Sequence, residues 1–164
     1  TAKGMTPYYS RIFYFQKPPG RSSENTDIQQ MNRFQGHIGA IRTCQQISLV
    51  TTILKEDHEI QAVVIETPET APYLKMGGKA AVLFKETEVV LGLPGTLQLS
   101  EPNQIPAEVD RLEPGTLFTW VGLRTPIGDI GAIIPADSVA LLGLIPGKEV
   151  IACVKTTEVM LSGQ

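Results

Sequence analysis

Lys85-Glu86-Thr87-Glu88-Val89-Val90-Leu91 returns 70 residues later as Lys155-Thr156-Thr157-Glu158-Val159-Met160-Leu161. An apolar, strand-like run enters each lysine, Ala81-Val82-Leu83-Phe84 in the first copy and Ile151-Ala152-Cys153-Val154 in the second. A glycine stands eight positions before each lysine, Gly77 and Gly147, and a leucine three before that, Leu74 and Leu144. The same residues in the same order mark an internal duplication.

Working outward, an offset of 71 aligns Asn32 with Asn103, Ile38 with Val109, Ile41 with Leu112 and Ile47-Ser48-Leu49 with Phe118-Thr119-Trp120. The last two triplets alternate with period two, as strands do. Polar turns follow, Lys55 to Glu59 and Arg124 to Asp129, and then apolar strands, Ile60 to Ile65 and Ile130 to Ile134. Thr67-Pro68-Glu69-Thr70 and Pro135-Ala136-Asp137-Ser138 then look like helix starts, each followed by a short helix to Leu74 or Leu142. Small loop insertions account for the drift of the offset. The expected fold is all-β: two tandem small OB-like β-barrels, each with one short helix. The expected boundaries are 29–93 and 102–164, with a linker over 94–101. Residues 1–28, aromatic at Tyr8-Tyr9 and then rich in Pro, Ser and Asn, read as an arm or linker. A barrel of about 60 residues is marginal alone, so pairing within and between chains is expected.

Composition narrows the function. The chain of 164 residues is 42% hydrophobic and 19% charged, with 15 Gly and 12 Pro, which suits a turn-rich globular protein. A net charge of −3 argues against a nucleic-acid-binding surface. Cys44 and Cys153 suggest no disulfide framework or zinc site and read as two buried thiols. No apolar run reaches the length of a membrane span, and no signal peptide opens the chain. His37 and His58 have no nucleophile at a recognisable spacing, and HExxH, GxSxG and phosphate-loop motifs are absent, so an enzyme is not expected.

Anion binding is the chemistry that the repeat favours. Lys85 and Lys155 stand at equivalent strand ends, with Thr67 and Thr70, or Ser138, at nearby helix starts. An ammonium, hydroxyls and outward-pointing backbone N–H groups together suit a small tetrahedral dianion. The structural alternative is that the lysines merely snorkel and the hydroxyls cap helices.

The run from Ser138 to Val150 with Val154-Lys155-Thr156 resembles the molybdate-binding Mop, or TOBE-type, domain. Thr67 to Thr70, Leu74, Gly77 and Phe84-Lys85 repeat that frame more loosely. Two copies in tandem are similar to the di-Mop ligand domain of ModE-type molybdate-responsive regulators and to the stand-alone storage proteins, the molbindins. The resemblance implies a homo-oligomer, a dimer in the regulators and a trimer in the storage proteins, with molybdate or tungstate bound between subunits. It carries the oxyanion ligands onto Thr67, Thr70 and Ser138, and onto Lys85-Glu86 and Lys155-Thr156. A Ser-Ala-Arg-Asn motif that opens a repeat in the family corresponds here to Gln29-Gln30-Met31-Asn32 and Ser100-Glu101-Pro102-Asn103. That adds Asn32, Ser100 and Asn103 as candidates. The family's arginine is missing from both copies, and Arg33 is a possible substitute. No metal beyond the oxyanion is implied. The expectation is the oxyanion-sensing domain of a ModE-like regulator in the cytoplasm, touching DNA only through a domain outside this chain. A cytoplasmic store is the alternative, followed by a nucleic-acid OB module and a transporter-derived regulatory domain. Glu86 beside Lys85 adds an unexpected negative charge, so Lys155 is the better candidate of the two lysines.

Overall fold

The computed structural model describes residues 31–95 and 98–163; the expected arm over 1–28 lies outside them, as do Thr96 and Leu97 of the linker. The first half supplies β1 (Met31–Cys44), β2 (Ile47–Ile53), β3 (Glu59–Val64), β4 (Lys79–Lys85) and β5 (Val90–Gly92). The second supplies β6 (Gln104–Pro114), β7 (Phe118–Arg124), β8 (Ile130–Pro135), α1 (Ala136–Leu142), β9 (Glu149–Cys153) and β10 (Met160–Gly163). Every pairing is antiparallel. The all-β, OB-like class stands, although the sheets are open rather than fully closed barrels.

The two sheets are not the two sequence halves. One runs β10-β4-β1-β2-β3 and the other β5-β9-β6-β7-β8, so the last strand of each half closes the other half's sheet. Met160 pairs with Leu83 and Leu161 with Val82, while Val90 pairs with Cys153 and Leu91 with Ala152. Adding 70 to the first-half numbers converts one set of pairs into the other. After each lysine a three-residue 3-10 turn, Glu86–Glu88 or Thr156–Glu158, steers the chain out of its own sheet. A cut at 93/94 therefore does not separate the sheets. The β-bulges repeat too, between Ile38 and Ala40 in β1 and between Val109 and Arg111 in β6. A bulge bends and twists its strand, which curls each sheet toward a barrel.

The exchange has an energetic reason. The larger of two core clusters takes Ile60, Val82 and Phe84 from one half and Ile105, Val121, Ile130 and Val150 from the other, with Val89 and Val159 on the crossing segments. Joining the halves buries apolar area that a 60-residue unit could not bury alone.

Three expectations need correction. Only the second half has an α-helix among the described residues; the first has turns bonded Ala71 N to Thr67 O and Leu74 N to Ala71 O. Pro72 explains this, because a proline inside a helix lacks the N–H and crowds the preceding turn. Helix α1 instead ends cleanly on Gly143 in the left-handed region (φ 60°), with Leu144 N bonded to Val139 O. The period-two alternation holds in β2 with Ser48 inward and Ile47 outward, but not in β7, where Thr119, Trp120 and the three residues after them are all buried. The Ser48 hydroxyl can go inside because it donates to Glu66 O at 2.6 Å. Cys44 is exposed at the end of β1, and only Cys153 is buried.

Candidate functional site

Asn32 and Asn103, equivalent in the repeat, make equivalent bonds across the two halves. The Asn32 side-chain amide donates to Gly131 O at 3.0 Å and accepts from Gly131 N at 2.8 Å. The Asn103 amide donates to Gln61 O and accepts from Gln61 N, both at 2.8 Å. A side-chain amide thus copies a strand neighbour's donor–acceptor pair, once at the start of β8 and once at the start of β3. Both asparagines are buried. The side chains of these two oxyanion candidates thus latch the halves together.

Near the Asn103 latch, Lys155 stands two residues past β9, exposed, with no ion pair among the described residues. The backbone N–H of Thr156 donates to Glu101 Oε2 at 3.1 Å, and the N–H of Asn103 donates to Glu101 Oε1 at 3.3 Å. One carboxylate is therefore held by two backbone donors, one of them on the residue that follows the exposed Lys155. The Gln104 side chain bonds Glu101 O at 2.8 Å and steadies the turn. Burial, and then the Glu101 charge, raises the nearby Cys153 thiol above its ordinary pKa. Glu101 was not a candidate from sequence, although it occupies the second place of the four-residue motif that ends in Asn103.

The Lys85 side differs. Lys85 is exposed, but Glu86 is only 4% exposed and its side chain turns inward over β8. A Cβ on Gly131 would lie 2.2 Å from Glu86 Oε1 and 2.9 Å from Trp120 Nε1, so glycine is required for this approach. The guanidinium of Arg111 covers the Trp120 ring at 5.0 Å from its centroid. A cleft of about 530 Å³ opens here, bordered by Asn32, Arg33, Glu86, Arg111, Trp120 and Gly131. Arg33 reaches its rim as an exposed side chain. The buried carboxylate makes this cleft a poorer host for a dianion than the Lys155 side.

The candidate hydroxyls lie elsewhere. The Thr67 backbone N–H donates to the Thr70 hydroxyl at 2.9 Å, and the two hydroxyls sit 3.4 Å apart. This pair follows the end of β3, six residues from Gln61, which is about 20 Å of extended chain. Ser138 is the third residue of α1, past the end of β8 and correspondingly far from Gly131. Asp137 before it is acidic, which disfavours an anion at that helix start. Ser100 is exposed beside Glu101. One chain thus brings Lys155, Thr156, Asn103 and Ser100 to one region and Lys85, Glu86 and Asn32 to another. It leaves Thr67, Thr70 and Ser138 at the far strand ends. Among the described residues no cluster of metal-ligating side chains forms, and no helix is long and apolar enough to cross a membrane.

Comparison with known proteins agrees with this architecture. Residues 99–161 match the TOBE domain family. The molybdenum transport protein ModE of Azotobacter vinelandii is 30% identical over 132 residues, 80% of this chain and 49% of that protein. ModE of Herbaspirillum seropedicae is 32% identical over 135 residues, 81% of this chain and 50% of that protein. The chain thus spans about half the length of the curated relatives it matches. A molybdate-bound crystal structure of the cytoplasmic molybdate-binding protein ModG superposes with a TM-score of 0.74 at 25% identity, covering 81% of this chain and 96% of that one. Residues 99–161 are thus a TOBE domain, and the duplicated lysine strands, the crossed halves and these relatives make the chain as a whole similar to tandem Mop-type, molybdate-binding proteins.

Proposed function

We propose that this chain binds molybdate, with tungstate as the alternative ligand, as the oxyanion-sensing part of a ModE-like cytoplasmic regulator. The observation that carries the reading is the Lys155 region. There Lys155, exposed and without an ion pair among the described residues, directly precedes Thr156, and the backbone N–H groups of Thr156 and Asn103 already hold carboxylate oxygens, at 3.1 and 3.3 Å. A tetrahedral dianion needs that kind of donor set: one cation for charge, and N–H groups fixed by the fold. The likeness to ModE and to molybdate-bound ModG supports the choice of oxyanion.

The sites form between chains. Thr67, Thr70 and Ser138 are too far from the lysines of their own chain to share a ligand about 5 Å across, so a second copy must supply one group or the other. We take that assembly to be a homodimer. An oxyanion that binds only the assembled interface stabilises the assembly by mass action and biases it toward one arrangement. In a regulator, that bias would pass to a DNA-binding domain outside this chain. The chain's own role is binding; no catalytic step is assigned to it.

The alternative is a storage protein, in keeping with the fold's likeness to the molybdate-binding protein ModG. Light scattering separates the two, since a trimer favours storage and a dimer favours sensing. The binding itself is tested by equilibrium dialysis against molybdate, tungstate and sulfate. Saturable uptake of either of the first two, with sulfate weaker, supports the reading; no uptake of either refutes it.

A further inference from the structure

Glu101 is a charged side chain without a role in the fold's core or in the ligand set above, yet it holds a well-defined place. Its two carboxylate oxygens take the Thr156 and Asn103 backbone N–H groups, one each, at 3.1 and 3.3 Å. These donors come from separate segments, the turn after β9 and the turn before β6, which only the folded chain brings together. A bidentate carboxylate on two convergent N–H groups has the charge and reach of one edge of an oxyanion. Glu101 is only half-buried, so it can leave by a change of side-chain rotamer, with no backbone movement.

We infer that Glu101 is a tethered competitor that occupies the N–H donors of the Lys155 site and sets the oxyanion concentration at which that site fills. The inference rests on the oxyanion reading of Lys155. A dianion and this carboxylate cannot share the same two donors, and at that separation their charges repel. The incoming oxyanion therefore displaces Glu101 into solvent. Lys155, on the neighbouring residue, stays in place to neutralise the newcomer. The site thereby answers to high oxyanion concentrations and rejects monoanions too weak to displace a carboxylate. The Lys85 side reaches a related outcome differently, through the buried Glu86. The two halves thus differ in threshold, because one carboxylate can swing away and the other is packed under Trp120 and Gly131.

The test uses Glu101→Gln and Glu101→Ala in the full chain, titrated with sodium molybdate by calorimetry, with thermal melts to confirm folding. Gln keeps an oxygen that accepts the N–H groups and removes only the charge. Ala removes both. Both variants are expected to bind molybdate about 10- to 100-fold more tightly than the unaltered chain, as befits loss of a charged hydrogen-bond competitor. The ¹⁵N–¹H resonances of Thr156 and Asn103 should move in the unaltered chain on adding molybdate, and in Glu101→Ala before any is added. If the chain binds molybdate and both folded variants bind it equally or less well, the inference is overturned and the oxyanion reading survives. If neither the chain nor either variant binds, both fall together. Binding by the variants alone upholds the inference in its strongest form.

Discussion

Replacing Asn32 with Ala removes a latch whose partners are both buried. The amide makes two bonds to Gly131, at 3.0 and 2.8 Å, across 99 residues of sequence. Deleting it leaves a buried N–H and a buried C=O on Gly131 without partners, each costing about 1–3 kcal/mol. The expected loss is about 3–4 kcal/mol, which for a chain of this size lowers Tm by about 10 °C. The Asn103→Ala change should cost less, about 2 kcal/mol, because its partner Gln61 is only half-buried and water can take over. Asn32→Asp sharpens the test. It keeps the acceptor for Gly131 N–H but points a carboxylate at Gly131 O, next to the buried Glu86. At neutral pH it should be less stable than Asn32→Ala, and acidification should restore it as the new carboxyl gains a donor proton. Urea unfolding, followed by circular dichroism and Trp120 fluorescence, supplies the numbers. A cost below about 1 kcal/mol for Asn32→Ala, or an Asp variant as stable as the unaltered chain at pH 7, would refute the latch.

Other outcomes follow from the same contacts. Gly131→Ala would place a Cβ 2.2 Å from Glu86 Oε1 and 2.9 Å from Trp120 Nε1, so it should destabilise by about 2–4 kcal/mol and alter the near-UV dichroism of the indole. A folded variant with an unchanged indole signal would contradict the packing. Exposed Cys44 should react with a thiol reagent within minutes, while buried Cys153 reacts only as the chain unfolds. Because the folded Cys153 thiol has its pKa raised above 9.0, its contribution to stability is full below that pH. Above it the unfolded thiol ionises first and stability declines. Cys153→Ala should flatten that alkaline decline, and an unchanged slope would assign it to other groups.

The duplication was legible because seven residues and their spacing recur. The equivalence of Lys85 and Lys155, the run of short strands and the all-β, OB-like class all followed from that. The strand exchange was not legible, since β5 and β10 are only three and four residues long and carry no mark of which sheet they join. Their turns and apolar residues read alike whether a strand folds back or crosses over. The helix expected after Thr67 failed on Pro72, a residue whose effect local rules already describe. Asn32 and Asn103 stood out as equivalent positions of the repeat, but their latch bonds run to backbone partners 99 and 42 residues away, which pattern alone cannot reveal. Glu101 was passed over as one more loop carboxylate. Its meaning lies in two backbone donors that only the tertiary fold brings together.

The central claim is that Lys155 anchors an oxyanion in this chain. Calorimetric titration of molybdate into the unaltered chain, Lys155→Ala and Lys85→Ala tests it most directly. The expected result is saturable heat for the unaltered chain, binding weakened about 100-fold or lost in Lys155→Ala, and a smaller loss in Lys85→Ala. Full-strength binding by a folded Lys155→Ala variant would contradict the account.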